Sequence, residues 1–397
     1  MSGSAERAGK GALDGIIVVD FSSMVAGPWC TRLLADCGAE VIKLEPTGDG
    51  DILRFAPPLV DRMSRVYAHF NAGKKSVSID LKSPEGLDVA RRLISRADVL
   101  VENYRPGVMA RLGLDYDSVR ALNPDIVYCS VSGFGQTGPL AGKAAYAPVV
   151  HAFSGFDVVQ AKAQRSDAAP AACGVMIADV LAATYAFGAI QTALLHRARF
   201  GGGDHIDVTL LESMMSLVAI QLQEAQADRP IASTTFQPLA TRDGHVMVAL
   251  VSPRTYVGAY RLIGHPEWTD DPAYNSLAGI RHNRAAIDEA LAAWARNLTS
   301  VECEAQLTAA GVPGSVYSAP AELLENPHLT GRGAFAQLSD AAGPFTVLNA
   351  PFRLASGQCE ARPFVARPGE HTHEVIRDQL GLSEADTQRL VDARAFG

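Results

Sequence analysis

Positive charge is not in excess in this chain: 35 Lys and Arg stand against 43 Asp and Glu, a formal net charge of -8. That balance argues against a general nucleic-acid binder, and an anionic ligand would need a local basic site. The six cysteines form no CxxC pair and no zinc-type spacing. Most of them lie in apolar segments, which reads as buried free thiols of a reducing compartment. The polar N-terminal stretch MSGSAERAGKGA lacks the apolar core of a secretory signal, so a cytoplasmic protein is expected. No GxGxxG follows the first predicted strand, where the chain reads Ser22-Ser23-Met24-Val25-Ala26-Gly27-Pro28. A P-loop lysine motif is lacking too, and neither Ser130 nor Ser132 sits in a GxSxG elbow. Internal repeats, low-complexity tracts and long linkers are missing as well. What remains is 397 residues, 48% hydrophobic and 20% charged, which is the composition of an ordinary globular protein of two domains or one domain with a subdomain.

Short β-branched runs alternate with helical stretches from residue 13 to 150. Strands are predicted at Ile16–Phe21, Glu40–Leu44, Ser76–Asp80, Val99–Glu102 and Ile126–Val131. Between them, Trp29–Asp36 reads as a helix opened by Pro28. A second helix runs from Pro84 to about Arg96 with Ser83 as its cap. This βαβ rhythm predicts an α/β fold with a mostly parallel, doubly wound sheet. Gly133–Gly142 is a loop, and such loops at the carboxyl ends of parallel strands form ligand sites. Gly201-Gly202-Gly203 reads as a turn into a strand at Asp207–Leu211, followed by a helix over Glu212–Ala225. The character changes near Asp228. A short strand pair flanks Arg242-Asp243-Gly244, helices follow at 285–297 and 301–310, and a β segment lies at 345–356. The predicted division is a large domain over 13–227, a small α+β domain over 228–325, and a return of 326–397 to the large domain.

Gly174 to Leu195 is long and apolar enough to span a bilayer. Asp179, Thr184, Gln191 and Thr192 interrupt it, and many of its residues are Ala or Gly, so a buried core helix is expected and no membrane partner. His371 and His373 lack companion ligands, and no metal site is predicted. Asp179 is the informative residue. It stands near the start of the apolar helix, where the macrodipole favours the carboxylate while burial opposes it. An aspartate in that balance can serve as nucleophile or general base. The alternative is a helix-capping or ion-paired carboxylate.

The segments LDGIIVVDFSSMVAGPWCTRLLADCGAEVIKLE, SIDLKSPEG, VENYRPGVMARLG, VSGFGQTGP and PEWTDDPAYN, with the Asp179 helix, resemble the family III CoA-transferases, of the CaiB/BaiF type. The resemblance runs from about Leu13 to about Leu380. Relatives of this kind include formyl-CoA:oxalate CoA-transferase and α-methylacyl-CoA racemase. It implies a large Rossmann-like domain built from both chain ends, a smaller domain between them, and an interlocked, ring-like homodimer. It implies acyl-CoA and a small carboxylic acid as substrates, with no tightly bound cofactor. In the transferases an aspartate matching Asp179 is the covalent nucleophile, passing through an aspartyl anhydride and an aspartyl-CoA thioester.

Further residues carry over by position. Val25 and Ala26 match contacts near the thioester; the oxalate-specific relative has a glutamine where Val25 stands. Ile79, Asp80, Leu81 and Lys82 match one CoA-binding segment, Asn103, Tyr104 and Arg105 another, and Arg111 a basic contact. Pro46 stands where relatives stack an arginine on adenine, with Arg54 or Lys43 as candidate replacements. Arg54, Arg105 and Arg165 are candidates to pair a second carboxylate. The shielding glycine loop of the oxalate-specific relative has only a short counterpart at about Ser233 to Arg242. Tyr146 stands where the racemase relative has a histidine base, and tyrosine, with an ordinary pKa of about 10, is a poor replacement. His151, five residues on, would occupy that place only in a shifted alignment. The expected activity is therefore CoA transfer, with racemisation at an α-carbon by an acid–base Asp179, or a catalytically silent CoA-binding protein, as alternatives.

Overall fold

The structure is a computed structural model and describes residues 11–164, 169–228, 236–340, 342–355 and 359–396. The described residues divide into two compact units. The larger takes both chain ends, up to Gln226 and again from Thr330, and the smaller takes the stretch between together with a short piece beginning at Ala163.

The larger unit is built on a six-stranded parallel sheet. Its strands are β1 (Ile17–Asp20), β2 (Glu40–Glu45), β3 (Lys75–Ser78), β4 (Val99–Glu102), β5 (Val127–Ser132) and β6 (Asp204–Thr209). The spatial order is β3-β2-β1-β4-β5-β6. Strand order therefore reverses between β1 and β4, the switch point at which doubly wound sheets open a crevice at their carboxyl edge.

Alternate strand residues face opposite layers. With α2 taken as Pro84–Ile94, Val18, Val99, Val101, Val127, Cys129 and Val131 join one core with helices α1 (Ala26–Asp36) and α3 (Ile177–Phe200). Val19, Ile42, Leu44, Leu100 and Tyr128 join the other with α2 (Pro84–Ile94) and α4 (Thr372–Leu380). Both faces are covered, which is why the strands read as continuous apolar runs. Ser83 caps α2 as its sequence predicts, its hydroxyl accepting the Gly86 N–H at 2.9 Å.

Four local readings are corrected. Helix α1 opens at Ala26, with Pro28 in its first turn, where no N–H is needed. Strand β3 ends at Ser78, because Asp80 turns its carboxylate onto the Lys82 N–H at 2.9 Å. Strand β6 spans Asp204–Thr209, and the helical stretch after it breaks into Leu210–Met215, a tight turn at Ser216–Val218, and Ala219–Glu224. Ser213 and Ser216 donate their hydroxyls back to the carbonyls of Thr209 and Ser213, both at 2.7 Å, a pairing that bends helices. Helix α3 is a core helix along one stripe only. Ala178, Ala182, Ala183, Ala186 and Ile190 are buried, and their small side chains let α3 approach α1, while Val180, Tyr185, Leu195 and Phe200 on other faces are exposed.

In the smaller unit, β7 (Leu239–Ala240) and β9 (Gly314–Val316) flank β8 (His245–Val248) in an antiparallel sheet. Helices Pro253–Leu262, Arg284–Ala295 and Ser300–Ala309 bury Ala259, Tyr260, Ile287, Leu291, Cys303 and Leu307 against Val246 and Val248. The C-terminal β segment is one arm of a hairpin, β10 (Phe335–Asp340) with β11 (Gly343–Leu348). All six cysteines are free thiols, and the Sγ atoms of Cys37 and Cys359 lie 3.0 Å apart.

The contact of α1 with α3 gives a first prediction. Ala186→Leu adds volume where no space exists and should destabilise the protein by about 1–3 kcal/mol, read as a lower denaturant midpoint with an unchanged slope.

Candidate active site

A cavity of about 450 Å³ opens at the carboxyl ends of β1, β4 and β5. The loop after β1 supplies Ser23, Met24, Val25 and Ala26 to its wall, the loop after β4 supplies Asn103, Tyr104 and Arg105, and the end of β5 supplies Ser132 and Gly133. The first turn of α3 brings Asp179, and Tyr146 stands at the rim, 65% exposed.

The β1 loop has no glycine cradle and is held by side chains instead. Asp20 is fully buried. One of its carboxylate oxygens accepts the Ser22 N–H at 2.9 Å and the Ser22 hydroxyl. The other accepts the Thr31 hydroxyl at 2.6 Å and Lys74 Nζ at 3.1 Å. Burial alone would raise this carboxyl, but Lys74, Lys43 and the Ser22 and Thr31 hydroxyls together outweigh it and hold the pKa at about 2. Lys43 Nζ donates to the Ser22 carbonyl at 2.6 Å. Asn103 then ties the β1 and β4 loops together, accepting the Ser23 N–H at 2.9 Å and donating to the Ser23 carbonyl at 2.7 Å. Gly27 is required by contact: a Cβ there would lie 2.1 Å from the Ser22 Cβ.

Asp179 is the one carboxylate among the described residues lining the cavity. Burial raises its pKa to about 6, against a hydrogen bond from its own backbone N–H. It is thus largely ionised at neutral pH and more basic than an ordinary aspartate. The preceding amide, Ala178 N–H, donates to His151 Nε2 at 3.2 Å. His151 is 1% exposed, does not line the cavity, and is pushed by burial towards its neutral form despite the opposing charge of Asp157. The position facing the cavity is therefore that of Tyr146, not His151.

The residues carried over from the family divide into two sets. Val25, Ala26, Asn103, Tyr104, Arg105, Tyr146 and Asp179 meet in the cavity. Ile79, Asp80, Leu81, Lys82 and Arg111 do not line it. Ile79 is buried in the core on one face of the sheet, Leu81 packs against that core, the Asp80 N–H donates to the Ala395 carbonyl, and Lys82 and Arg111 are exposed. Lys43 and Arg54 are not available to replace the cation lost at Pro46. Lys43 is buried and paired with Asp51 at 3.0 Å. Arg54 grips both oxygens of Glu45 at 2.7 and 2.6 Å and stacks on Tyr67 at 3.8 Å. The same grip removes Arg54 as a partner for a second substrate carboxylate; Arg105 lines the cavity, and Arg165 lies outside the described residues, as does the start of the segment at Ser233 to Arg242. Sequence reasoning missed Ser23, Met24 and Met176, and set Ser132 aside for want of a GxSxG elbow. The rule that sites gather at strand carboxyl ends led to Gly133, the start of the loop read as a ligand site, and could have kept its neighbour Ser132. Met24, with φ of 65°, carries a left-handed backbone that sequence does not reveal.

A doubly wound sheet with a single aspartate in a cavity at its switch point defines an α/β enzyme with a carboxylate-centred site. Comparison with known proteins gives the family. Residues 13–372 match CoA-transferase family III, and the chain belongs to that family. It is 35% identical over 344 residues to a succinate–glutarate CoA-transferase of Agrobacterium fabrum, covering 82% of this chain and 84% of the relative. It is 32% identical over 397 residues to a succinyl-CoA–D-citramalate CoA-transferase of Chloroflexus aurantiacus, covering 97% and 98%. The crystal structure of a CaiB/BaiF family protein from Brucella suis superposes with a TM-score of 0.80 at 29% identity, covering 93% of this chain and 100% of the other. The chain is a CoA-transferase.

The pKa of Asp179 has a consequence for stability. The folded value lies above that of the unfolded chain, so the ionised group costs stability above about pH 6, and the cost vanishes as pH falls towards 4. Asp179→Asn should stabilise the protein by about 1–3 kcal/mol at pH 8, with the gain fading below pH 6 in a series of thermal melts.

Proposed function

We propose that the enzyme moves CoA from an acyl-CoA donor, succinyl-CoA foremost, to a carboxylic acid through covalent intermediates on Asp179. The observation that carries this reading is the lone, basic carboxylate in the cavity. An Asp179 oxygen attacks the thioester carbonyl, the C–S bond breaks, and CoA leaves as thiolate with an aspartyl anhydride left behind. The thiolate attacks the aspartyl carbonyl, and the donor acid departs, leaving an aspartyl-CoA thioester. The acceptor carboxylate attacks that thioester, giving a second anhydride and free thiolate. Attack of the thiolate on the acceptor's acyl carbon releases the new acyl-CoA and restores Asp179. Each step exchanges one activated acyl species for another, so no large barrier is met at once.

The relatives named for succinyl-CoA, glutarate and D-citramalate support a succinyl donor and a small dicarboxylate acceptor. Arg105 on the cavity wall is the cation we assign to the distal carboxylate. In this reading the cavity takes the acyl and thiol end of the ligand, and Lys82 and Arg111 meet its phosphates outside. Racemisation is disfavoured because no histidine lines the cavity among the described residues, and a racemase needs a second base. The protein would act in the cytoplasm with CoA as substrate and no resident cofactor.

A homodimer belongs to the same proposal. Tyr185, Leu195 and Phe200 on α3, with Leu217 and Ile220 beyond β6, are exposed apolar side chains of the kind a second copy covers. Light scattering across a dilution series should return twice the mass of 42.0 kDa; a monomer at micromolar concentration would sink the dimer.

The covalent route is tested by incubating the enzyme with succinyl-CoA and hydroxylamine. A hydroxamate mapped to Asp179 by mass spectrometry is expected. Asp179→Ala should lower transfer by at least about 10³-fold while keeping CoA binding. A panel of acyl-CoA donors that all leave Asp179 unmodified would overturn the mechanism.

A further inference from the structure

Behind the wall of the cavity lies a second, smaller cavity of about 130 Å³, lined by Glu102, Arg105, Tyr116, Ser130, Gln136 and His205 among others. Arg105 borders both. Glu102 is the last residue of β4, 3% exposed, and the residues after it form the wall of the reaction cavity. Its Oε2 accepts the Tyr104 N–H at 2.9 Å. Its carboxylate also takes the Ser130 hydroxyl, and the oxygen of Ser130 lies 3.1 Å from His205 Nε2. His205 is exposed and stacks on Tyr116 at 4.8 Å, with Tyr128 edge-on at 5.3 Å. Tyr104, a residue of the reaction cavity with Arg105 next to it in the chain, thus hangs by its amide from a buried carboxylate linked by hydrogen bonds to a ring that meets solvent.

We propose that Glu102 is a positioning residue for the acyl-CoA site: its ionised carboxylate fixes the Tyr104 amide, and with it the Asn103–Arg105 wall. The inference rests on the reading that this cavity takes acyl-CoA. With Glu102 ionised, His205 Nε2–H donates to Ser130, Ser130 donates to Glu102, and Tyr104 N–H donates to a charged acceptor. With Glu102 protonated, the direction reverses. The new O–H donates to Ser130, the Ser130 hydroxyl donates to an unprotonated Nε2, and the His205 ring carries its proton on Nδ1. Tyr104 N–H is then left with a neutral and weaker acceptor.

The surroundings place this change near neutrality. Burial pushes Glu102 up to about 7, against the bonds from Ser130 and Tyr104, and Asp207 on β6 adds to the rise. The other ionisable groups around it are His205 on β6, Tyr128 and Cys129 on β5, Asp115 and Tyr116 beyond the β4 loop, and Tyr104 and Arg105 on its own loop. The cation Arg105 reaches the cavity from the loop that Glu102 holds.

The test is the pH dependence of KM and kcat with succinyl-CoA, together with calorimetric binding of CoA itself, for wild type, Glu102→Gln, Glu102→Asp and Ser130→Ala. Gln copies the protonated acid, accepting from Tyr104 and donating to Ser130. Its KM should be about five- to tenfold above wild type at pH 8, with kcat within about twofold, and the gap should close by pH 6. Glu102→Asp should keep a titration. Ser130→Ala removes a donor to the carboxylate and should move the wild-type transition to higher pH. The 3′-phosphate of CoA titrates near pH 6 in every variant, so the difference between proteins isolates Glu102. A Gln variant whose KM and CoA affinity follow wild type at every pH overturns the role of Glu102 alone. Wild-type protein that binds no CoA at any pH overturns the acyl-CoA reading, and this proposal with it.

Discussion

The buried contact between Asp20 and Lys74 is the constraint on which the site depends. It lies where β1 gives way to α1, and it reaches two neighbouring elements. Thr31 and the Pro28 carbonyl bring in α1, the latter accepting Lys74 Nζ at 2.9 Å, and Lys43 brings in β2 through Ser22. Two ions out of water are expensive, and the pair is tolerable only because the remaining hydrogen-bonding capacity is filled. Asn71 Oδ1 takes a further Lys74 proton at 2.8 Å. Burial lowers Lys74 to about 8 and the cations hold Asp20 at about 2, so both stay charged at neutral pH. What the arrangement secures is shape. A dinucleotide fold sets this turn with glycines so that backbone can approach a pyrophosphate. Here side chains lock the turn, and its backbone is committed inward.

Much of the larger unit was legible because its signals are local. The strands β1 to β5 announce themselves as β-branched runs, Ser83 and Pro84 mark the start of α2, and a charge inside an alanine-rich run points to Asp179. The cations were misread for the opposite reason. Lys43 sits in EVIKLE and looks like a surface residue of a half-exposed strand, yet its partners Ser22 and Asp51 come from other turns of the chain. Arg54 likewise pairs with Glu45 and Tyr67, contacts that no spacing rule implies. Ile79 to Lys82 and Arg111 follow their strands as a ligand-binding segment should, but the cavity beside Asp179 does not extend to them. Family resemblance transfers positions; it does not say which positions share one cavity. Glu102 shows the same limit, since VENYRPG drew attention to the three residues after it.

Electrostatics within the unit are divided by depth. The chain is acidic, yet several of its cations are spent internally: Arg32 on Asp36, Lys43 on Asp51, Arg54 on Glu45 and Lys74 on Asp20. The Lys43, Arg54 and Lys74 pairs sit near the carboxyl ends of β1 and β2 and fix the loops there, while the Arg32 pair lies at the far end of α1. Arg105, Lys82 and Arg111 are exposed and follow β4 or β3, the edge at which the cavity opens. An anionic ligand approaching that edge meets side chains that form no ion pair among the described residues, which is what local attraction in an acidic protein requires.

Asp20 and Asp179 make the point in its sharpest form. Asp20 is fully buried and Asp179 partly so, and burial alone would raise both. Asp20 faces two lysines and two hydroxyls and titrates at about 2, whereas Asp179 faces none of these and titrates at about 6. A carboxylate as stabilised as Asp20 is a poor nucleophile, because every bond it accepts must weaken as its oxygen attacks. One left with little more than the N–H of its own helix turn stays ionised at neutral pH and gives up little on reaction. The small-residue stripe that seats α3 against α1 is what holds such a group in place without touching its oxygens. On the proposed mechanism, stability is given up at Asp179 for reactivity, and the hydrogen-bonded knot around Asp20 holds the opposite wall of the cavity.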